Sequence, residues 1–217
     1  WKTMGDIQVG DKVFDDNGEE CNVTFVTQHQ HERECFEITF DNGDTIIADA
    51  EHQWAVSLRE HRRKSLLEGK SIADSELALQ TKDLLDYKDK HYAIRLTDPV
   101  QYSEKDLTVD PYVLGYWLGD GNANTTILTI GDQDKSETLE RVKGYGYSIK
   151  EYKQKYTYKL ENVYEDFKKL TVLNNKHIPT NYLQGSVEQR LELLRGILDS
   201  DGSYSERDDT IEYTSSD

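Results

Sequence analysis

Cysteine is almost missing: Cys21 and Cys35 are the only two in 217 residues. Two thiols in a chain of this length make no disulfide framework, which excludes the stapled scaffolds of secreted proteins and points to an intracellular home. Both read as small core or half-exposed residues, with no neighbouring cation pattern to lower a thiol pKa. No apolar run approaches a membrane span. The opening, WKTMGDIQVGDKVFDDNG, is polar and already patterned, so no signal peptide is visible. Proline occurs three times, and Pro99 sits where the composition shifts. Positive charge is also short: 26 Lys and Arg stand against 42 Asp and Glu, a net charge of −16. A uniformly acidic surface repels nucleic acid, so a nucleic-acid function needs a local exception. Residues 140–180 supply one, with nine Lys/Arg against five acids.

What is present is a core-forming share of apolar residues, 35%, in two textures. Residues 1–56 read as short strands and tight turns. Asn17-Gly18 and Asn42-Gly43 are hairpin signals. The alternations in CNVTFVTQ (Val23, Phe25, Thr27) and CFEITF (Phe36, Ile38, Phe40) predict strands, and Thr45–Ala48 predicts a return strand. The basic stretch REHRRKSLLEGKS reads as an exposed excursion near 57–75. Leu77, Leu84 and Leu85 suggest a short helix, with a strand following around Tyr92–Leu96. A boundary near residue 98 gives segments 1–98 and 99–217.

The second segment reads as α+β. Asp110-Pro111 predicts a helix start, with Asp as N-cap and Pro at the first helical position. TTILTIG predicts a strand, and DQDKSETLERVKGYGY a helix closed by glycine. YSIKEY and KYTYKLE predict a hairpin, and VYEDFKKL a short helix. SVEQRLELLRGILDSDG predicts a long helix with Ser186 as N-cap and Leu191, Leu194, Ile197 and Leu198 on one face. SYSE and TIEYTSS then read as strands of another sheet. Helix, strands, helix and strands again suggest a repeat whose second copy is cut short.

Two stretches echo each other: VLGYWLGDG at 113–121 and LRGILDSDG at 194–202. Gly115 and Gly119 are four apart, as are Gly196 and Ser200. Small residues at that spacing share a helix face and let two backbones approach. Packed together, the helices would bring Asp120 and Asp201 side by side at one end. Two close carboxylates repel, and a divalent cation such as Mg²⁺ relieves the repulsion while keeping water and phosphate oxygens as further ligands.

The paired stretches resemble the twin signature of LAGLIDADG homing endonucleases. With KHIPTNYLQGSVEQRLELLRGILDSDGSY they are similar to inteins. The I-x-V-G-D-x-V pattern and DNGDTIIADAEHQWAV resemble the Hint splicing fold. The resemblance implies a β-rich Hint domain over 1–98, followed by an α+β LAGLIDADG endonuclease domain over 99–217. That endonuclease domain would be an αββαββα-type repeat with its second copy truncated. It implies protein self-splicing together with site-specific, divalent-metal-dependent cleavage of double-stranded DNA, and an address in the cytoplasm of a bacterium, archaeon or phage-infected cell. Asp120 and Asp201 would bind Mg²⁺ or Mn²⁺, and Lys176 would polarise water or the scissile phosphate. His52 would assist cleavage at the N-terminal splice junction. Asp49, where the family often has threonine, would orient its imidazole. The partners implied are a double-stranded DNA target site, flanking extein sequences and a complementary C-terminal intein fragment, with no membrane. No nucleophile stands at Trp1 and no terminal His-Asn precedes Asp217, so both ends read as incomplete. The alternative within this resemblance is a degenerate endonuclease retained as a scaffold for splicing.

The hairpin YSIKEYKQKYTYKLE alternates Lys and Tyr and supports two readings equally. Lys150, Lys153, Lys155 and Lys159 contact DNA phosphate, or they protect a sheet edge while the tyrosines pack inward. Arg59–Lys64 reads as a solvated loop, with DNA contact as the second reading.

Overall fold

The computed structural model describes residues 2–71, 76–85 and 92–214. The chain divides into two compact units, Trp1–Val100 and Gln101–Asp217.

In the first unit, β1 (Lys12–Phe14) and β2 (Glu20–Asn22) form an antiparallel hairpin with Val13 opposite Cys21. Asp15 shapes its turn by accepting from the Asn17 and Glu19 N–H groups. β3 (Cys35–Thr39) and β4 (Thr45–Asp49) form a second hairpin, closed by Asn42-Gly43 with Gly43 at φ +89°. β5 (Gln53–Leu58) leads into α1 (Arg59–Leu67), which is followed by β6 (Glu76–Gln80), α2 (Thr81–Leu84) and β7 (Tyr92–Ala93). The sheet order is β6-β5-β7, all antiparallel. The core is small: Ala48, Trp54 and Val56 are buried, with Ile38, Phe40, Leu79, Leu84 and Tyr92 packed around them. The Trp54 indole N–H donates to Thr81 Oγ1 at 2.9 Å.

Three sequence expectations fail in this unit. The strand through Val23, Phe25 and Thr27 does not form; β2 ends at Asn22 and Phe25 is 77% exposed. Alternation alone cannot make a strand where no partner edge is offered. The excursion after residue 57 is helical through Leu67, because arginine, lysine and leucine are good helix formers. Its final residues, 72–75, lie outside the described residues. Leu77 belongs to a strand paired with Val56, not to the helix that contains Leu84.

The second unit is built on two helices. α3 (Pro111–Asp120) is capped by Asp110, whose carboxylate accepts from the Tyr112 N–H at 2.9 Å. It is buried from Pro111 to Trp117, as expected of a helix that is apolar on nearly every side. β8 (Ile127–Thr129), α4 (Lys135–Gly144), β9 (Ile149–Glu151), β10 (Thr157–Leu160), α5 (Tyr164–Lys169) and α6 (Thr180–Leu183) follow. The sheet order β8-β10-β9 is antiparallel. α7 (Val187–Asp201) starts at Ser186 in a capping box with Gln189, and β11 (Gly202–Ser205) pairs with β12 (Thr210–Tyr213) after it. The core gathers Val113, Leu114, Trp117, Leu128, Tyr158, Leu160 and Phe167 between α3 and the sheet.

α3 and α7 pack main chain to main chain at Gly115 and Gly196. The buried face of α7 is therefore Leu193 and Gly196. Leu191 and Leu194, on one face of the expected helix with Ile197 and Leu198, are 46% and 48% exposed. The seam selects its face by how closely the backbones approach, so small Gly196 outranks the leucines.

Candidate functional site

Asp120 and Asp201 are the last residues of α3 and α7. The seam stays tight to this end. A Cβ on Gly119 would lie 2.0 Å from Ser200 Oγ and 3.1 Å from an Asp201 carboxylate oxygen. The glycine that follows each acid is required by closeness as well. A Cβ on Gly121 would meet the Trp117 carbonyl oxygen at 2.3 Å, and one on Gly202 the Leu198 carbonyl oxygen at 2.4 Å. The helical part of the echo thus has a packing cause.

The structure brings Lys176 to the same end. Its Nζ donates to the Leu118 and Gly119 carbonyl oxygens at 3.0 and 2.9 Å, and lies 5.3 Å from the Trp117 ring centre. A cation there satisfies C-terminal carbonyls of α3 and opposes the helix dipole. Burial, reinforced by the Asp201 charge, raises the Asp120 carboxyl above the usual carboxylate range, while Lys176 pulls it down. Burial likewise holds the Lys176 ammonium below the usual lysine range, against the pull of Asp201 and Asp120. Although the Lys176 residue is largely exposed, its ammonium is tucked under the last turn of α3.

Among the described residues, no group of three or more His, Cys, Asp or Glu side chains could hold a metal ion. Two carboxylates alone would leave most of the shell of a hard cation such as Mg²⁺ to water or phosphate oxygens.

Asp199, two residues before Asp201, points elsewhere. It accepts from the Tyr112 hydroxyl at 2.9 Å and pairs with Arg141 at 2.6 Å; the Arg141 guanidinium lies 5.2 Å from the Tyr112 ring centre. Tyr145 stacks on Tyr112 and donates to Glu192. This network was missed in the sequence. The available signal was helical geometry, because residues two apart face different sides.

The basic hairpin places Lys150 directly opposite Lys159 across β9 and β10, both exposed. Tyr158 and Leu160 take the other face and are buried. Lys153 and Lys155 lie in the connecting turn; Lys155 stacks on Tyr156 at 4.2 Å and lies 3.9 Å from Asp132. Lys150 and Lys159 thus share the exposed face of the hairpin and Tyr158 takes the buried one, with Lys150 on the edge strand β9 and Lys159 on the central strand β10.

In the first unit, the expected Asp49–His52 side-chain pairing is replaced. The Asp49 carboxylate accepts from the Glu51 N–H at 2.7 Å and pairs with Arg33 at 3.1 Å. These contacts, the Glu51 N–H first, hold its pKa below the usual range. His52 donates its own main-chain N–H to the Asp49 carbonyl at 3.1 Å, and its ring packs edge-on to Trp54 at 4.8 Å. Asp49 is committed to an arginine sixteen residues away in the chain, which its position in sequence could not reveal.

No family model matches the chain. Over 220 residues, 94% of the chain, it is 30% identical to a replicative DNA helicase DnaB of Mycobacterium intracellulare, of which it covers 36%. Over 57 residues, 26% of the chain, it is 40% identical to a replicative DNA helicase DnaB of Mycobacterium leprae, of which it covers 9%. The chain thus spans about a third of the longer match. Both relatives are named replicative helicases, and neither is named an intein or a homing endonuclease. This overturns the resemblance to inteins and LAGLIDADG endonucleases. Self-splicing, site-specific cleavage of double-stranded DNA and the degenerate-scaffold alternative fall with it. The physical reason lies in the seam: glycine and serine at four-residue spacing, and glycine after each helix, are what close packing demands whatever the function. No helix among the described residues is long and apolar enough to cross a membrane.

Proposed function

We propose that the chain is a non-motor segment of a DnaB-like replicative helicase polypeptide, contacting the nucleic-acid backbone through Lys150 and Lys159 and holding a divalent cation on Asp120 and Asp201. The observation that carries this reading is the 30% identity to a replicative DNA helicase across 94% of the chain. The parent polypeptide would be an enzyme that hydrolyses nucleoside triphosphates, but that step belongs elsewhere in it. This sequence contains no G-x-x-x-x-G-K-[ST] phosphate loop; the nearest approach, KSLLEGKS, has Lys64 where the first glycine is needed.

Two lysines directly opposed across strands repel, and a phosphate between or beside them removes the repulsion. Lys153 and Lys155 in the adjoining turn extend the same positive edge. A bound divalent cation would supply positive charge that draws a phosphate oxygen toward the ends of α3 and α7. Asp120 and Asp201 would hold it, and Lys176 would keep the last turn of α3 in place.

The test is fluorescence anisotropy of the whole chain with labelled duplex and single-stranded oligonucleotides, across a salt series, with Mg²⁺ or with chelator. The logarithm of affinity should fall linearly with the logarithm of salt. Lys150→Glu with Lys159→Glu should weaken binding. Mg²⁺ should tighten it in the parent chain but not in Asp120→Asn/Asp201→Asn. No binding at low salt would sink the reading.

A further inference from the structure

Helix α1 carries four cations against one acid. Its first residue is Arg59, and Arg62, Arg63 and Lys64 follow within nine residues, with Glu60 the one acid. The N-terminal end of a helix carries positive partial charge and favours acids; the first turn of α1 holds Glu60 but begins with Arg59. Its N-cap is Leu58, which makes no side-chain cap bond. Arg59 and Arg63 stand four residues apart on one face, a spacing at which like charges destabilise a helix. Around them the first unit is acidic, with twelve Lys/Arg against twenty-one Asp/Glu, yet five of the twelve fall between Arg59 and Lys70.

The neighbouring cations have partners. Arg62 donates to the Ser57 carbonyl at 2.6 Å, and Lys64 and Lys70 share Glu68. Arg59 and Arg63 are exposed and form no ion pair among the described residues, although acids abound in the unit. Two exposed arginines four residues apart, unpaired among the described residues, leave their guanidinium groups free for an anion from outside the chain.

We infer that Arg59 and Arg63 of α1 form a second nucleic-acid contact, binding backbone phosphates with their guanidinium groups. Four residues of helix separate them by about 6 Å along the axis, which suits neighbouring phosphates of one strand. Guanidinium matches phosphate oxygens two at a time, which an ammonium does not. The choice of nucleic acid as the anion rests on the proposed relation to replicative helicases. The contact itself belongs to a different unit and different residues from the Lys150–Lys159 face.

The experiment compares the whole chain with Arg59→Ala/Arg63→Ala and with Lys150→Glu/Lys159→Glu by anisotropy on one duplex across a salt series. Vesicles containing phosphatidylserine and a polyglutamate peptide serve as rival anions; the vesicles matter because Leu66 and Leu67 stand exposed at the far end of α1. The arginine variant should bind DNA about tenfold or more weakly at 100 mM salt, with a salt slope smaller by about two. Its melting temperature should be equal to or above that of the parent, because the removed charges oppose the helix. Unchanged DNA affinity and slope in the arginine variant, while the lysine variant is weakened, would overturn this inference alone. So would a loss confined to vesicles or polyglutamate. Absence of DNA binding by the parent chain would overturn the proposed function together with it.

Discussion

Gly115 and Gly196 face each other across the α3–α7 seam, each against the main chain of the other helix. A Cβ on Gly115 would lie 2.2 Å from the Leu193 carbonyl oxygen, and one on Gly196 would lie 2.1 Å from that of Tyr112. Overpacking costs about 1–3 kcal/mol where side chains can yield, and here the obstacles are backbone. Gly196→Ala should therefore destabilise the second unit by about 3 kcal/mol, read from the denaturant midpoint. Gly144→Ala is the control: nothing lies within 4 Å of its Cβ. It should be neutral or gain up to about 1 kcal/mol from helix propensity. Equal midpoints for the two variants would show that the seam is not in contact.

Asp120 leads to a pH-dependent prediction. Burial and the Asp201 charge raise its carboxyl above the ordinary value, so the folded chain holds this proton more tightly than the unfolded chain does. Ionising Asp120 thus opposes folding. The opposition is absent below the ordinary carboxylate pKa of about 3.9. It grows as pH rises from there and is complete above the raised folded-state value. Asp120→Asn should match the parent at the acid end of the folded range and melt higher at pH 7. Millimolar Mg²⁺ should raise the melting temperature of the parent and leave the variant unmoved. A variant that melts lower than the parent at pH 7 would contradict the sign.

Lys176 holds the Leu118 and Gly119 carbonyls and lowers the Asp120 pKa. Lys176→Met keeps much of the stem and removes the ammonium. The loss should be about 1–2 kcal/mol, from two charged hydrogen bonds at a helix C-terminus. The Asp120 carboxyl should titrate at higher pH still, which carbon-detected NMR of the side chain can follow. An unchanged Asp120 titration would place the ammonium away from the carboxylate in solution.

The second unit was the more legible in sequence, for a physical reason. Its elements carry local signals that need no partner: Asp110-Pro111 at the start of α3, Ser186 with Gln189 at the start of α7, and Gly144 at the end of α4. The α3–α7 seam was readable because small residues at four-residue spacing fix which faces meet. What escaped depends on the partner. Leu191 and Leu194 marked an apolar face, but the buried face was chosen by Leu193 and Gly196. Val23 and Phe25 alternated like a strand, but β2 stops before them. Asp49 looked like a partner for His52, but Arg33 reached it first. The function was misread for a related reason, since the small residues of the paired stretches, which carried part of the resemblance, are those that tight packing requires.

In the first unit, the bond between Trp54 Nε1 and Thr81 Oγ1, 2.9 Å and buried, ties β5 to the start of α2. Thr81→Val keeps the shape and strands a buried indole N–H, a cost of about 1–3 kcal/mol. With three buried residues at the centre of this core among the described residues, that is a large share of its stability. Thr81→Val should lower the unfolding midpoint reported by Trp54 and leave the Trp117 signal of the second unit in place, whereas Thr81→Ser should keep both. A Thr81→Val midpoint equal to the parent's would mean that water replaces the bond.

Under the proposed function, the opposed lysines on β9 and β10 set stability against binding. Like charges directly across an antiparallel pair are unfavourable, by about 0.2–1 kcal/mol relative to a neutral pair. Lys150→Thr removes one of them and adds a residue suited to strands. At low salt this variant should be slightly more stable than the parent and bind DNA more weakly. The stability difference should shrink as salt rises, because exposed charges are screened within about 10 Å at 0.1 M. A purely structural role for Lys150, guarding the edge of the sheet, predicts the reverse pairing: unchanged DNA affinity and a chain more prone to associate. Calorimetry, anisotropy and light scattering on the same preparation separate the two outcomes. If Lys150→Thr is both less stable and equally tight on DNA, the lysine pair serves the sheet and the nucleic-acid contact must be sought on other residues.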